Sequence, residues 1–585
     1  MTTASEISTI KYPAKDHVVR TFQLLPQVIL LAGSQLSYRN DTDRELPFRQ
    51  ESNFFYLSGC PVPGSFFLAT YYPDVATPDA KDVRAVDTKL YVPNPTLEDL
   101  MWSPAPPTIS EARDAYDVDS VSHTEELSDH LRSLPADALV HILPRINELP
   151  CVHKSVANDS PVLTALNELH ALGDKTEGRR AITEEYLLTA LHQTRLIKDA
   201  FEINLIRRAN DISSRAHEVV MRVLGLAVQR KIKQLDQPAS GRPLLPGEWL
   251  IRTEAEAEAI FVASCRREGA FHQAYLPIVA ANTRAATLHY CCNDKAFAWG
   301  PISNGHIHNG GHLTSHDQTD KVLAPQVLLI DAGCEWECYS SDITRTIAVG
   351  NGGKFTAEAK AMYDLVLRMQ QESFSMLRPG VHWDDVQLRC HEVLVDGFLR
   401  LGIFRSPEPA SGRCSKRLKC GTTHVQRNIA KGDSKERDDL HRDIIVSGIS
   451  AAFFPHGVGH SLGMDVHDVP SASKPSKTGK YFIAGPHEST TQGGGHESFY
   501  RFLRLRLPLL AGMVVTVEPG VYFSPHLLAP YRQSPFLDAA VLARYESVGG
   551  IRIEDDVLIT ENGAENLTTV RSETAWIESV CAGED

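Results

Sequence analysis

Three stretches late in the chain share a pattern: an apolar, β-branched run that stops on an acidic residue and then turns. VLLIDAG stops on Asp331 and MVVTVEPG on Glu518, each followed by glycine or Pro-Gly turn signals. GGIRIEDD alternates, so Ile551 and Ile553 point one way while Arg552 and Glu554 point the other. Asp342 comes eleven positions after Asp331 and opens ITRTIAV, another predicted strand. A hairpin between those two strands would let the carboxylates face each other. Earlier, QVILLAGSQL and SFFLATYYP read as strands and TEELSDHLRSL as a helix, while residues 184–224 read as two long amphipathic helices.

The polar turn GDKTEGRR suggests a boundary at residues 174–180, giving a mixed α/β domain over 1–180 and a larger α+β domain over 181–585. Four segments break the pattern. Residues 229–250 are rich in Gln, Pro and Gly, 299–321 in Gly, His and Asn, and 406–442 are basic and polar; 470–497 is a weaker fourth case. All four read as surface insertions, flexible or disordered.

At 585 residues, with 42% hydrophobic and 23% charged, the chain is an ordinary globular one. A formal net charge of -14 argues against nucleic acid or an anionic membrane as the main partner. The basic stretch 413–442 lacks aromatic interleaving, which leaves a nucleic-acid role for it poorly supported. No secretory leader or membrane span is visible, and the 11 cysteines form no C-x-x-C pair. Reduced thiols and a cytoplasmic location are the expectation.

His460 lies in HGVGH, four positions after His456 and seven before His467, interleaved with glycines that allow close backbone approach. Taken singly, each acidic residue also reads as a turn, cap or cross-strand ion-pair residue, and a lone histidine is more often structural. Together Asp331, Asp342, His460, Glu518 and Glu554 form a ligand set for two oxygen-preferring divalent cations. A carboxylate-dominated set without thiolate suits Mn²⁺ and admits Co²⁺ or Zn²⁺. Two such cations can generate hydroxide and polarise a carbonyl, so the chain reads as a metallohydrolase. The denser cluster His306, His308, His312 and His316 has no strand to hold its rings and is expected to be no native metal site. His487 and His496 lack the second histidine of an H-E-x-x-H helix.

These motifs resemble the pita-bread metallopeptidases, in particular the Xaa-Pro aminopeptidase (aminopeptidase P) and prolidase branch. YRNDTDRELPFRQESNFFYLSG at 38–59 resembles that family's N-terminal domain, and TRLIKDAFEINLIRRAND the helix opening its catalytic domain. AYLPIVAANTRAATLHY at 274–290 resembles a strand pair bearing a catalytic histidine, here His289. Residues 299–321 and 406–442 interrupt the family's pattern, and no ligand falls inside them. The resemblance implies a catalytic domain of pseudo-two-fold, pita-bread architecture, with a curved antiparallel sheet carrying two metals, usually manganese. Asp331 would bind the second metal, Asp342 and Glu554 would bridge, and His460 and Glu518 would complete the first.

The implied reaction is hydrolysis of the bond before proline by a water deprotonated between the metals. Glu518 would move the proton. His289 and His467 would hydrogen-bond the tetrahedral intermediate or the peptide. Tyr275 and His456 would wall the prolyl pocket, and Arg552 would support the carboxylates or the substrate's far end; packing and a structural ion pair are competing roles for Tyr275 and Arg552. The expected substrates are peptides with proline second. Prolidase activity on Xaa-Pro dipeptides is the alternative, and a metal-free pita-bread binding module a more distant one. Homodimers are compatible with the family.

Overall fold

The computed structural model describes residues 11–72, 86–135, 138–145, 149–150, 152, 160–173, 182–228, 251–300, 322–407, 434–474 and 497–584. The expected boundary at 174–180, the histidines at 306, 308, 312 and 316, His487 and His496 lie outside the described residues, as do 229–250 and most of the other polar segments. The chain divides into two compact units. One comprises Met1–Leu205, Glu337–Tyr339 and Gly463–Pro486; the other comprises Ile206–Trp336, Ser340–Leu462 and His487–Asp585.

The first unit is built on a six-stranded mixed sheet. Its strands are β1 (Val28–Ala32), β2 (Phe66–Tyr71), β3 (Val86–Val92), β4 (Ser120–His123), β5 (Val140–His141) and β6 (Ile182–Thr183), in the order β4-β3-β2-β1-β5-β6. The VILLA run of β1 is buried at every position because both faces of this central strand are covered. On one face Val28, Leu30, Phe66 and Leu68 pack with Leu127 and Leu131 of α1 (Leu127–Ser133) and Leu166 of α2 (Pro161–Gly173). The segment expected to form two long helices is a ten-residue helix, α3 (Leu187–Leu196), followed by the 29-residue α4 (Ala200–Val228). Asp199 starts α4: its Oδ1 accepts from the amides of Phe201 and Glu202 at 2.8 and 2.9 Å, and Glu202 returns a bond to the Asp199 amide at 2.9 Å.

The second unit repeats one construction, helices packed on antiparallel strands. In its first half β7 (Ile278–Ala281), β8 (Gln326–Asp331) and β9 (Thr344–Val349) form a sheet in the order β9-β8-β7, with Asp331 opposite both Thr344 and Ile278. Helix α5 (Glu254–Arg267) packs on β7. In the second half α6 (Ala357–Met376) and α7 (Trp383–Leu401) pack together, beside a sheet of β10 (Val514–Val517), β12 (Asp555–Thr560) and β13 (Gly563–Asn566), with β11 (Gly550–Arg552) running into β12. A bridge from Thr344 to Glu554 joins the halves.

The basic segment 406–442 was expected to be unstructured, yet its end belongs to a helix, α8 (Ser434–Ser447). Lys, Glu, Arg and Leu there are good helix formers, and Ile444 and Ile445 are buried, giving the helix an anchor. Among the described residues no helix is long and apolar enough to cross a membrane.

Candidate metal centre

Each ligand candidate is delivered by the end of a strand or by backbone lying against one. Asp331 ends β8, and the chain then turns so tightly that a Cβ on Gly333 would come within 1.8 Å of the Ser341 carbonyl oxygen. That closeness requires glycine and returns the chain so that the Ala332 amide bonds the Ile343 carbonyl at 3.0 Å. Asp342 sits at the mouth of this hairpin, its amide bonded to Asp556 Oδ2 at 2.9 Å. Residues 458–462 run alongside β10: the Thr516 amide donates to the His460 carbonyl, the Glu518 amide to that of Val458, and the Leu462 amide to that of Val514. A Cβ on Gly459 would meet the Thr516 carbonyl oxygen at 2.0 Å, so glycine is what lets this segment lie so close. The pairing places His460 beside Glu518, with Nε2 3.6 Å from Oε1.

The side chains converge. One ligand atom each from Asp342, His460 and Glu554 lies within 4.8 Å of the others. His460 Nε2 is 3.4 Å from Asp342 Oδ2, while its Nδ1–H donates to the Ser461 carbonyl at 3.1 Å, leaving Nε2 for a ligand. The Tyr275 hydroxyl is 2.6 Å from Oδ1 of Asp331 and of Asp342. It has a single proton to give, so the second contact needs another proton or a nearby cation. Thr344 donates to Glu554 at 2.6 Å, and Arg552 pairs with the other oxygen of Asp331. Asp331, Asp342, His460, Glu554 and Arg552 are buried and Glu518 is half-buried.

The acids of this centre crowd one another out of water. Burial, with Asp342, Glu518 and Asp331 close by, raises the Glu554 carboxyl far above the usual carboxylate range. Burial also raises Asp331, although Arg552 opposes it, and lifts Glu518 to about 7. Burial pulls His460 down, but Asp342 and Glu518 outweigh it and hold the imidazole above its ordinary value. Carboxyls facing one another out of water take up protons unless cations replace them. Four carboxylates, one oriented imidazole and no thiolate fit divalent cations of the manganese or zinc kind.

The other predicted residues fall as follows. His456 is half-buried; its Nδ1–H donates to the Gly457 carbonyl, and its Nε2 accepts from the Tyr522 hydroxyl at 2.8 Å. Arg552 in turn donates to the Tyr522 oxygen at 2.9 Å. Burial, helped by the Arg552 charge, pulls the His456 pKa to about 3, so the ring is neutral. His289 is exposed, on the segment after β7. His467 belongs to the first unit and is exposed.

Sequence reasoning missed Thr344, Asp556 and Tyr522. Asp556 had a signal: in an alternating strand it shares a face with Glu554. A second group able to offer ligand atoms, His17, Asp199 and Glu202, lies in the first unit. There the Arg20 guanidinium already sits 3.1 Å from Asp199 and 3.3 Å from Glu202, which makes an ion-pair cluster of it.

Residues 204–561 match the model of metallopeptidase family M24, and residues 14–141 match that of the aminopeptidase P N-terminal domain. A probable Xaa-Pro aminopeptidase of Paracoccidioides brasiliensis is 34% identical over 96% of this chain and 94% of its own. One from Pyricularia oryzae is 35% identical over 97% of both chains. Among solved structures, the aminopeptidase PepP of Pseudomonas aeruginosa superposes with a TM-score of 0.63 at 26% identity, covering 98% of this chain and 99% of that one.

Proposed function

The chain belongs to metallopeptidase family M24, and from that membership and the geometry of the centre we propose that it removes the N-terminal residue from peptides with proline in second position. The observation that carries this reading is the convergence of Asp342, His460 and Glu554, with Asp331 and Glu518 beside them, as buried acids crowded against one another. Those five residues would hold two divalent cations, manganese by our reading. When bound, the pair supplies a hydroxide at neutral pH and polarises the scissile carbonyl.

The protein's own groups do the rest. Glu518 is the most accessible of the four carboxylates. It takes the proton lost by water and passes it to the departing prolyl nitrogen, which carries no N–H of its own. Neutral His456, held by Tyr522 and Arg552, offers a fixed, uncharged wall to a prolyl ring. Tyr275 holds Asp331 and Asp342 in position. Hydrogen bonding to the substrate by His289 and His467 is part of this proposal, as are action in the cytoplasm and the absence of a nucleic-acid or membrane partner.

The test is hydrolysis of an Xaa-Pro-Yaa tripeptide and an Xaa-Pro dipeptide by manganese-loaded protein. Release of Xaa from the tripeptide is the expected result. Turnover confined to the dipeptide would make the protein a prolidase, and no hydrolysis of either at full metal loading would make it a binding module.

A further inference from the structure

His289 is carried on an exposed stretch between β7 and residue 297, and what fixes that stretch is not the metal centre but a buried carboxylate on the neighbouring helix. Glu254, the first residue of α5, has no solvent exposure. Its Oε1 accepts from the Ala281 amide at 2.9 Å and from Arg284 Nε at 2.6 Å. Its Oε2 accepts from the Tyr290 hydroxyl at 2.9 Å and from the Lys295 amide at 3.2 Å. The Glu254 amide closes the ring with a 3.0 Å bond to the Lys295 carbonyl. The segment is thus gripped before, within and after its turn, and one of the gripped residues is the immediate neighbour of His289.

One helical turn further along α5, Glu258 makes a second clamp. It accepts from Asn293 Nδ2 at 2.9 Å. The same Asn293 amide donates to the Pro277 carbonyl at 2.7 Å, and Asn293 Oδ1 accepts from the Val279 amide at 2.9 Å. Asn293 does this with a φ of 48°, a left-handed conformation that asparagine tolerates better than most residues. Both clamps fasten the segment to β7, whose residue Ile278 lies opposite Asp331. The position of His289 is therefore referred, through a few short bonds, to the strand that ends on a metal-ligand candidate.

We propose that Glu254 is a positioning residue for His289: its carboxylate, satisfied by three donors from the His289-bearing segment and one from the end of β7, sets where that imidazole meets the substrate. The inference rests on the reading of His289 as a group that touches substrate. A carboxylate buried without solvent is retained at a cost unless each lone pair is used, and here the donors are the segment and the last residue of the strand it leaves. Glu254→Gln keeps the volume but replaces one acceptor oxygen with an NH₂ facing two donors. The segment then loosens while the metal ligands stay in place.

The experiment is a double-mutant cycle on the manganese-loaded full chain with an Xaa-Pro-Yaa peptide: wild type, Glu254→Gln, His289→Ala and both together. Glu254→Gln is expected to lower kcat about 10- to 100-fold with little change in KM or metal content, because misplacing a reacting group by about 1 Å costs on that order, and to lower Tm, because the NH₂ leaves buried donors unpaired. In the His289→Ala background the same change is expected to cost less than about twofold, since the group it positions is gone. Hydrogen exchange across residues 282–296 should quicken in Glu254→Gln. Tyr290→Phe, which removes one grip without touching the buried charge, should show a smaller loss that also vanishes in His289→Ala; it serves if Glu254→Gln does not fold. A loss that is undiminished in the His289→Ala background would overturn the positioning role and leave the reading of His289 intact. Full activity of His289→Ala would overturn that reading and this inference with it.

Discussion

Asp342→Asn keeps the size of the side chain and the 2.9 Å bond from its amide to Asp556, so its effect reports on the carboxylate itself. It turns one of two carboxylate oxygens into an NH₂: either Oδ1, which the Tyr275 hydroxyl meets at 2.6 Å, or Oδ2, which lies 3.4 Å from His460 Nε2. Removing a partner outside the ligand set of a metal typically costs about 10- to 100-fold in affinity, so loss of a ligand should cost more. We expect manganese content to fall well below two per chain and peptide cleavage to drop by at least about 100-fold. Wild-type cleavage at full metal loading would remove Asp342 from the centre. The ligand candidates could be picked out because Asp331 and Glu518 end apolar runs, Asp342 opens one, Glu554 lies in an alternating strand and His460 sits among glycines. Thr344 and Tyr522 were not. Thr344 serves Glu554 from 210 positions away, and Tyr522 serves Arg552 from 30 away, so no local pattern marks either pairing.

At the scale of elements, the hairpin of β8 and β9 and the strand ending on Glu518 follow directly from runs of buried apolar residues closed by turns. What no run announces is how the two halves of the catalytic unit are fastened. Arg345, 1% exposed, pairs with buried Asp555 at 2.6 Å and also donates to the carbonyls of Thr344 and Glu554, both at 2.9 Å. It therefore spans from β9 to the strand bearing a metal-ligand candidate. In the sequence it is one more charge in an alternating strand, indistinguishable from a solvated residue. Breaking a buried ion pair from one side leaves an uncompensated charge, which costs about 3–5 kcal/mol. Arg345→Met should lose about that much in denaturant unfolding. Arg345→Met with Asp555→Asn should lose less than the sum of the two single changes, because the stranded carboxylate is then gone. Additive losses would mean that the pair does not join the halves. The helix at Ser434–Ser447 shows the opposite failure, since charge density alone suggested an unstructured segment where a pair of buried isoleucines provides an anchor.

The formal charge of -14 argues against nucleic acid or an anionic membrane as the main partner but says nothing of where the acids are crowded. That crowding makes the stability of the whole molecule depend on pH and metal together. Burial lifts Glu518 from 4.5 to about 7 and raises Glu554 well above its ordinary value, and Asp342 and Glu518 lift His460 against its burial. Without metal, each of these groups holds its proton more tightly folded than unfolded. Between about 4.5 and about 7 the native state is the greater proton binder, so stability falls as pH rises through that window. Divalent cations replace those protons and bind the folded chain, so their stabilisation should grow as the competing protons leave. The Tm of chelator-treated protein should therefore decline from about pH 5 to about pH 8, while the Tm gained on adding Mn²⁺ widens over the same range. Glu518→Gln, which cannot titrate, should flatten part of the metal-free decline. A manganese increment that stayed constant with pH would mean that these acids are paired by something other than a metal, and the peptidase reading would lose its physical basis.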